Sequence, residues 1–113
     1  MSSIELSEQE IRGTRAAVLE AVTDQIFQSE PDVLARSEVL LFELSARAAT
    51  AASESMMPRV LPADAVSLEA VGRSLAHVAA SVEGWELPIR IGLSRDQLDE
   101  LGARIAACRS DSQ

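Results

Sequence analysis

The chain has 113 residues, ten arginines, no lysine and eighteen acids, for a formal charge of −8, and 47% of it is hydrophobic. That length and balance suit one globular domain, and the negative field disfavours nucleic acid or anionic lipid as partners. Without lysine, Schiff-base and phosphate-loop lysine chemistry is excluded, and with Cys108 the sole cysteine no internal disulfide can form.

The start from Met1 to Glu10 reads as polar and acidic, and residues 1–6 are expected to fray. The first helix opens at Ser7, where Ser7-Glu8-Gln9-Glu10 matches a capping box. Ile11, Val18, Leu19, Val22 and Ile26 follow at helical spacing and predict a helix to about Ser29. Arg15 interrupts that stripe. The second helix begins at Pro31, which suits a first helical position because the amide it lacks would be unpaired there. Val33, Leu34, Leu40, Leu41, Leu44 and Ala48 line one face. Val39 and Phe42 carry apolar character around the cylinder, so residues 39–44 read as buried on more than one side. The helix should run to about Ser55, with Pro58 as its stop.

The connection from Ser53 to Asp64 holds Met56, Met57, Val60 and Leu61 between and beside Pro58 and Pro62. A third helix starts between Ala63 and Ser67, with Leu68, Val71, Leu75, Val78 and Val82 as its seam and Gly84 as its C-terminal stop. In the next stretch Leu87, Ile89, Ile91 and Leu93 alternate, which predicts one short extended segment at 87–91, confined to an edge by Pro88. Ser94-Arg95-Asp96-Gln97 is a second capping box and announces the last helix, whose seam is Leu98, Leu101, Ile105 and Cys108. Residues 110–113 are expected to fray.

These elements predict an all-α fold: a single-domain, four-helix bundle with a long N-terminal helical hairpin, because the Ser29-Glu30-Pro31 link is short. Five acid–arginine pairs at four-residue spacing support it: Glu8–Arg12, Asp32–Arg36, Glu43–Arg47, Glu69–Arg73 and Glu100–Arg104. Two long helices covered by two shorter ones leave apolar surface over, so a homodimer is expected, with Val39 and Phe42 at its contact.

Chemistry finds little support. His77 has no carboxylate three or four residues away, so metal ligation from its own helix is not predicted. Cys108 falls on a buried seam at a helix C-terminus, where the dipole opposes a thiolate. Glu-x-x-His motifs for a di-metal bundle are lacking, and the isolated glycines build no phosphate cradle. No catalytic residue, metal or cofactor is predicted. Gly13, Gly72 and Gly102 fall inside helical patterns, where close approach of a neighbouring helix would account for them. The candidate interaction surface is Met56, Met57, Val60 and Leu61 with Trp85, Leu87, Ile89 and Ile91, since methionine and tryptophan suit binding surfaces.

The expected role is therefore a small acidic interaction module, a regulator, adaptor or immunity-type inhibitor, with a basic protein as its partner. Two alternatives come from other classes. One is a small-molecule-binding helical dimer with an apolar pocket near Trp85 and His77 and modest enzymatic activity; the other is an accessory subunit of a larger enzyme. The cytoplasm is the expected compartment, because a basic, apolar leader is missing. Arginine without lysine, beside abundant alanine, fits a GC-rich bacterial genome.

Overall fold

The computed structural model describes residues 3–51, 59–62 and 64–111. Its elements are β1 (Ser3–Leu6), α1 (Glu8–Thr23), α2 (Pro31–Ala51), β2 (Arg59–Pro62), α3 (Ala65–Ser81), α4 (Leu87–Arg90) and α5 (Arg95–Asp111). The fold is all-α, with five helices packed on one another and one small ribbon. Helices α1, α2 and α3 pack against each other pairwise, and α5 packs on α3. This arrangement makes α3 the helix that meets α1, α2 and α5, and leaves one face of α2 uncovered by α5.

Helices α1, α3 and α5 begin where the sequence supplies a side-chain cap. Ser7 Oγ accepts from the Glu10 amide at 3.1 Å, and Glu10 Oε1 accepts from the Ser7 amide at 2.9 Å. Ser94 and Gln97 repeat the exchange at the start of α5, at 3.2 and 2.9 Å. For α3 the cap is Asp64, whose carboxylate accepts from the Ser67 amide at 3.1 Å and the Ser67 hydroxyl at 2.7 Å. Partial burial pushes the Asp64 carboxyl up, but the Ser67 hydrogen bonds and the nearby Arg36 charge outweigh it and hold the group below its ordinary value.

A carboxyl held lower in the folded chain than in the unfolded one adds stability above the unfolded value and loses it as pH falls through the folded value. Asp64→Ala should therefore cost about 1 kcal/mol at neutral pH through loss of the cap. The gap between wild type and variant should narrow in acid, as urea denaturation at a series of pH values would show. A gap that stays constant or widens in acid would be the wrong sign.

Helix α1 ends at Thr23, about two turns before the apolar spacing suggests. The Gln25 amide donates to the Val22 carbonyl and the Ile26 amide to the Ala21 carbonyl, with Gln25 at φ 60°. This is a glycine-type helix stop made by a glutamine. Beyond it the chain folds back, and Phe27 is fully buried in the turn leading to α2. Helix α3 likewise stops at Ser81, ahead of the predicted Gly84, with Val82 extended as its C-cap.

Two further differences concern extended structure. Residues 3–6, expected to fray, pair antiparallel with β2, Ile4 opposite Leu61 and Glu5 opposite Val60. Ile4 and Leu6 are buried and Glu5 is exposed, the alternation of a strand with one covered face. Residues 87–91, predicted as extended, instead form the single turn α4. Pro88 sits in its first turn, where the missing amide costs nothing. The Arg90 amide donates to the Glu86 carbonyl and the Ile91 amide to the Leu87 carbonyl, each at 2.8 Å.

One core cluster joins the helices, with Ile11, Val18, Leu40, Leu44, Leu68 and Leu101 among its buried members. Thr14 Oγ1 lies in it without a hydrogen-bond partner among the described residues, at a cost on the order of 1–3 kcal/mol. Of the interior glycines, Gly13 is closely approached, by Leu93 from the loop before α5 rather than by a helix. Gly72 sees ordinary contacts, and a Cβ on Gly102 would meet nothing within 4 Å.

Candidate functional site

The predicted interaction residues separate into two groups once the 84–93 connection is built. Leu87 and Ile91 lie four apart, on the inner side of the turn, at 0% and 3% exposure. They belong to the core and are withdrawn from the candidate surface. The helical turn rotates Ile89 away from them. Trp85, in the turn that leads into α4, and Ile89, on α4 itself, are 71% and 78% exposed, with exposed Pro88 between them in the chain.

This knob is held from beneath at several points. Arg90 Nη2 donates to both Glu20 oxygens on α1, at 2.9 and 2.8 Å, and Arg90 Nη1 lies 3.7 Å from Glu86. The hydrogen bonds to Glu20 raise the Arg90 guanidinium above its ordinary value, with the Glu20 charge acting in the same direction. Gln9 Nε2 donates to the Gly92 carbonyl at 2.9 Å, and Gly92 takes φ 84° to turn the chain toward α5. Leu93 then inserts against Gly13. A large apolar surface is thus presented on a braced turn, so little ordering would accompany its burial by a partner.

The second group is on α2. Val39 is 46% and Phe42 79% exposed, and Ala35 and Ala46 are exposed on the same side. Residues 39–44 were expected to be buried on more than one side; within the chain the fold covers only the side of Val33, Ser37, Leu40 and Leu44 and leaves Val39 and Phe42, the expected dimer contact, exposed. Arg15, the interruption in the α1 stripe, donates from Nε to Ser45 Oγ at 2.8 Å and fixes the register of α1 beside α2. One turn along α1 from Arg15, Leu19 remains 44% exposed. Met56 and Met57 lie outside the described residues, as do the side chains of Val60 and Leu61, whose backbones form the β2 ladder.

Arginines are drawn into ion pairs across the bundle. Arg12 meets Glu8 at 2.7 Å and Arg73 meets Glu69 at 3.6 Å, two of the five predicted pairs. Arg104 turns from Glu100 to Glu10 and to the Glu5 carbonyl, tying α5 to α1 and β1. Arg73 also reaches Glu30 at 2.6 Å and stacks 5.0 Å from the Phe27 ring centroid. With these cations occupied by acids, the exposed Glu38, Glu83, Asp96 and Glu100 shape the outward field.

His77 Nε2 lies 2.7 Å from Asp24 Oδ2, so the histidine joins α3 to the end of α1. Sequence spacing missed this partner because it lies 53 residues away. Cys108 is partly buried and packs on the core. No three His, Cys, Asp or Glu side chains converge on a common point among the described residues. A cleft of about 230 Å³ runs between α3 and α5, floored by Leu75 and Leu98, and one of about 390 Å³ lies beside Gln9 and Gly92. Neither is lined by Trp85 or His77. Among the described residues no helix is long and apolar enough to cross a membrane. Comparison with protein-family models, curated proteins and solved structures found no match to this chain.

Proposed function

We propose that the chain is a small cytoplasmic interaction module, of regulator, adaptor or inhibitor type, that binds another protein through the Trp85–Pro88–Ile89 knob. The observation that carries this reading is the exposure of Trp85 and Ile89, at 71% and 78%, on a turn whose inner residues are locked into the core. Large apolar side chains on a preformed turn match the anchor residues of protein interfaces, where tryptophan is enriched. Glu83 is exposed beside the knob, and the whole chain carries −8. The partner that fits is an apolar cleft rimmed by basic residues, for which the acidic field also speeds encounter.

The test compares the wild-type chain with a Trp85→Ala/Ile89→Ser variant as bait in native lysate. Both substituted side chains point outward, so the helical circular-dichroism signal should be unchanged. A basic protein retained in fixed ratio by the wild type and lost by the variant is the expected result. Identical captured sets from the two baits, or no stoichiometric partner for either, would remove the knob as a binding surface.

A further inference from the structure

We propose that the outer face of α2 is the seam of an antiparallel homodimer, and that its occupant is α2 of a second copy of this chain. This goes beyond the knob, which is built from a different element, the turn into α4. The argument begins with spacing. Ala35, Val39, Phe42 and Ala46 are exposed at intervals of four, three and four residues, the interval pattern of a helix–helix seam. Their sizes run small, large, large, small. Both the intervals and the sizes read the same in either direction along the helix, and an isologous two-fold contact requires that self-complementarity.

A two-fold axis crossing α2 between positions 40 and 41 sets Val39 against the partner's Phe42 and Ala35 against the partner's Ala46. The alanines at each end allow the two backbones to approach while the larger pair fills the centre. Charges on the flanks agree with this direction. Arg36 falls opposite the partner's Glu43. Glu38 falls opposite the partner's Ser45, whose counterpart in this chain accepts a hydrogen bond from Arg15 at 2.8 Å. A positive group therefore faces a negative one on both flanks. A parallel pairing would instead set Glu38 against the partner's Glu43, two like charges.

The stripe from Ala35 to Ala46 spans roughly 17 Å of helix. A contact of this length lies at the small end of specific interfaces, so association should be evident at micromolar rather than nanomolar protein.

Sedimentation equilibrium on the full chain over a concentration series tests the arrangement. The wild-type mass should rise from 12.1 kDa toward twice that value. Phe42→Glu should remain at the monomer mass with its helical circular dichroism intact, because that side chain is 79% exposed. Glu43→Arg, which opposes like charges across the seam, should weaken the dimer by about tenfold. Adding Arg36→Glu to it should restore association. A wild type that stays monomeric throughout, a dimer indifferent to Phe42→Glu, or a charge swap that fails to rescue would each overturn the proposal. Trp85→Ala/Ile89→Ser should leave the dimer unchanged, and a dimer lost in that variant would move the seam to the knob and overturn it as well.

Discussion

Phe27→Ala should lower the unfolding free energy by about 3–5 kcal/mol, the range for truncating a fully buried phenylalanine. Phe27 is 0% exposed in the turn between α1 and α2, and the Arg73 guanidinium stands 5.0 Å from its ring centroid. Truncation would open a cavity at the closed end of the helical hairpin and leave Arg73 without its ring. The turn backbone is tied by the Glu30 amide donating to the Phe27 carbonyl at 3.0 Å, so it cannot easily collapse into the space. Against a total stability of roughly 5–15 kcal/mol for a domain, this loss brings the chain near the edge of folding. Phe42→Ala is the matched control. At protein concentrations below association it should change stability by less than about 0.5 kcal/mol, because the side chain is 79% exposed. Urea denaturation followed by circular dichroism separates the two, and equal losses at the two positions would contradict the burial pattern.

Gly13→Ala should destabilise the chain by about 1–3 kcal/mol, although alanine favours helix over glycine by about 1 kcal/mol. A Cβ at position 13 would lie 2.4 Å from Leu93 Cδ1 and 2.6 Å from its Cγ. Leu93 is itself buried, so it cannot swing into solvent without dragging the connection that carries Arg90 and Ile91. Overpacking therefore outweighs propensity, and the sign of the change is the informative quantity. Leu93→Ala alone should cost about 2–5 kcal/mol through its cavity. Combined with Gly13→Ala it should cost less than the two single losses added, since the new methyl then enters vacated space. A double-mutant cycle reads that coupling directly. Gly13→Ala more stable than wild type would show that Leu93 yields freely.

Helix content and helix starts were legible in the sequence because their causes are local. Ser7 with Glu10 and Ser94 with Gln97 are separated by three residues, and each pair closes its own box. The seams of α3 and α5 were legible for the same reason: Leu68, Val71, Leu75 and Val78, then Leu98, Leu101 and Ile105, are all buried. Helix ends were less so. Glutamine at φ 60° is an unusual stop, and nothing in the residues around Gln25 announces it.

The 87–91 segment misled because Leu87, Ile89, Ile91 and Leu93 satisfy a period of two, while Leu87 and Ile91 also satisfy a helical turn. Burial of Leu87 and Ile91 against the bundle, with Ile89 turned outward, decides between the two patterns. The β ribbon escaped notice because Ile4 and Leu6 are too few to establish a period, and their partners begin 53 residues later, at Arg59. At the candidate surface the sequence could identify Trp85, Ile89, Val39 and Phe42 as apolar residues short of a partner. It could not distinguish them from Leu87 and Ile91, because that distinction depends on which way one turn of helix faces.

Exposure of Trp85 also has a spectroscopic consequence. The chain holds one indole, and it already meets water in the native state. Its emission should therefore shift little when the helices melt, so a thermal scan followed by intrinsic fluorescence would miss the transition. Docking of a partner over the ring would replace water with apolar contacts and move the emission to shorter wavelength.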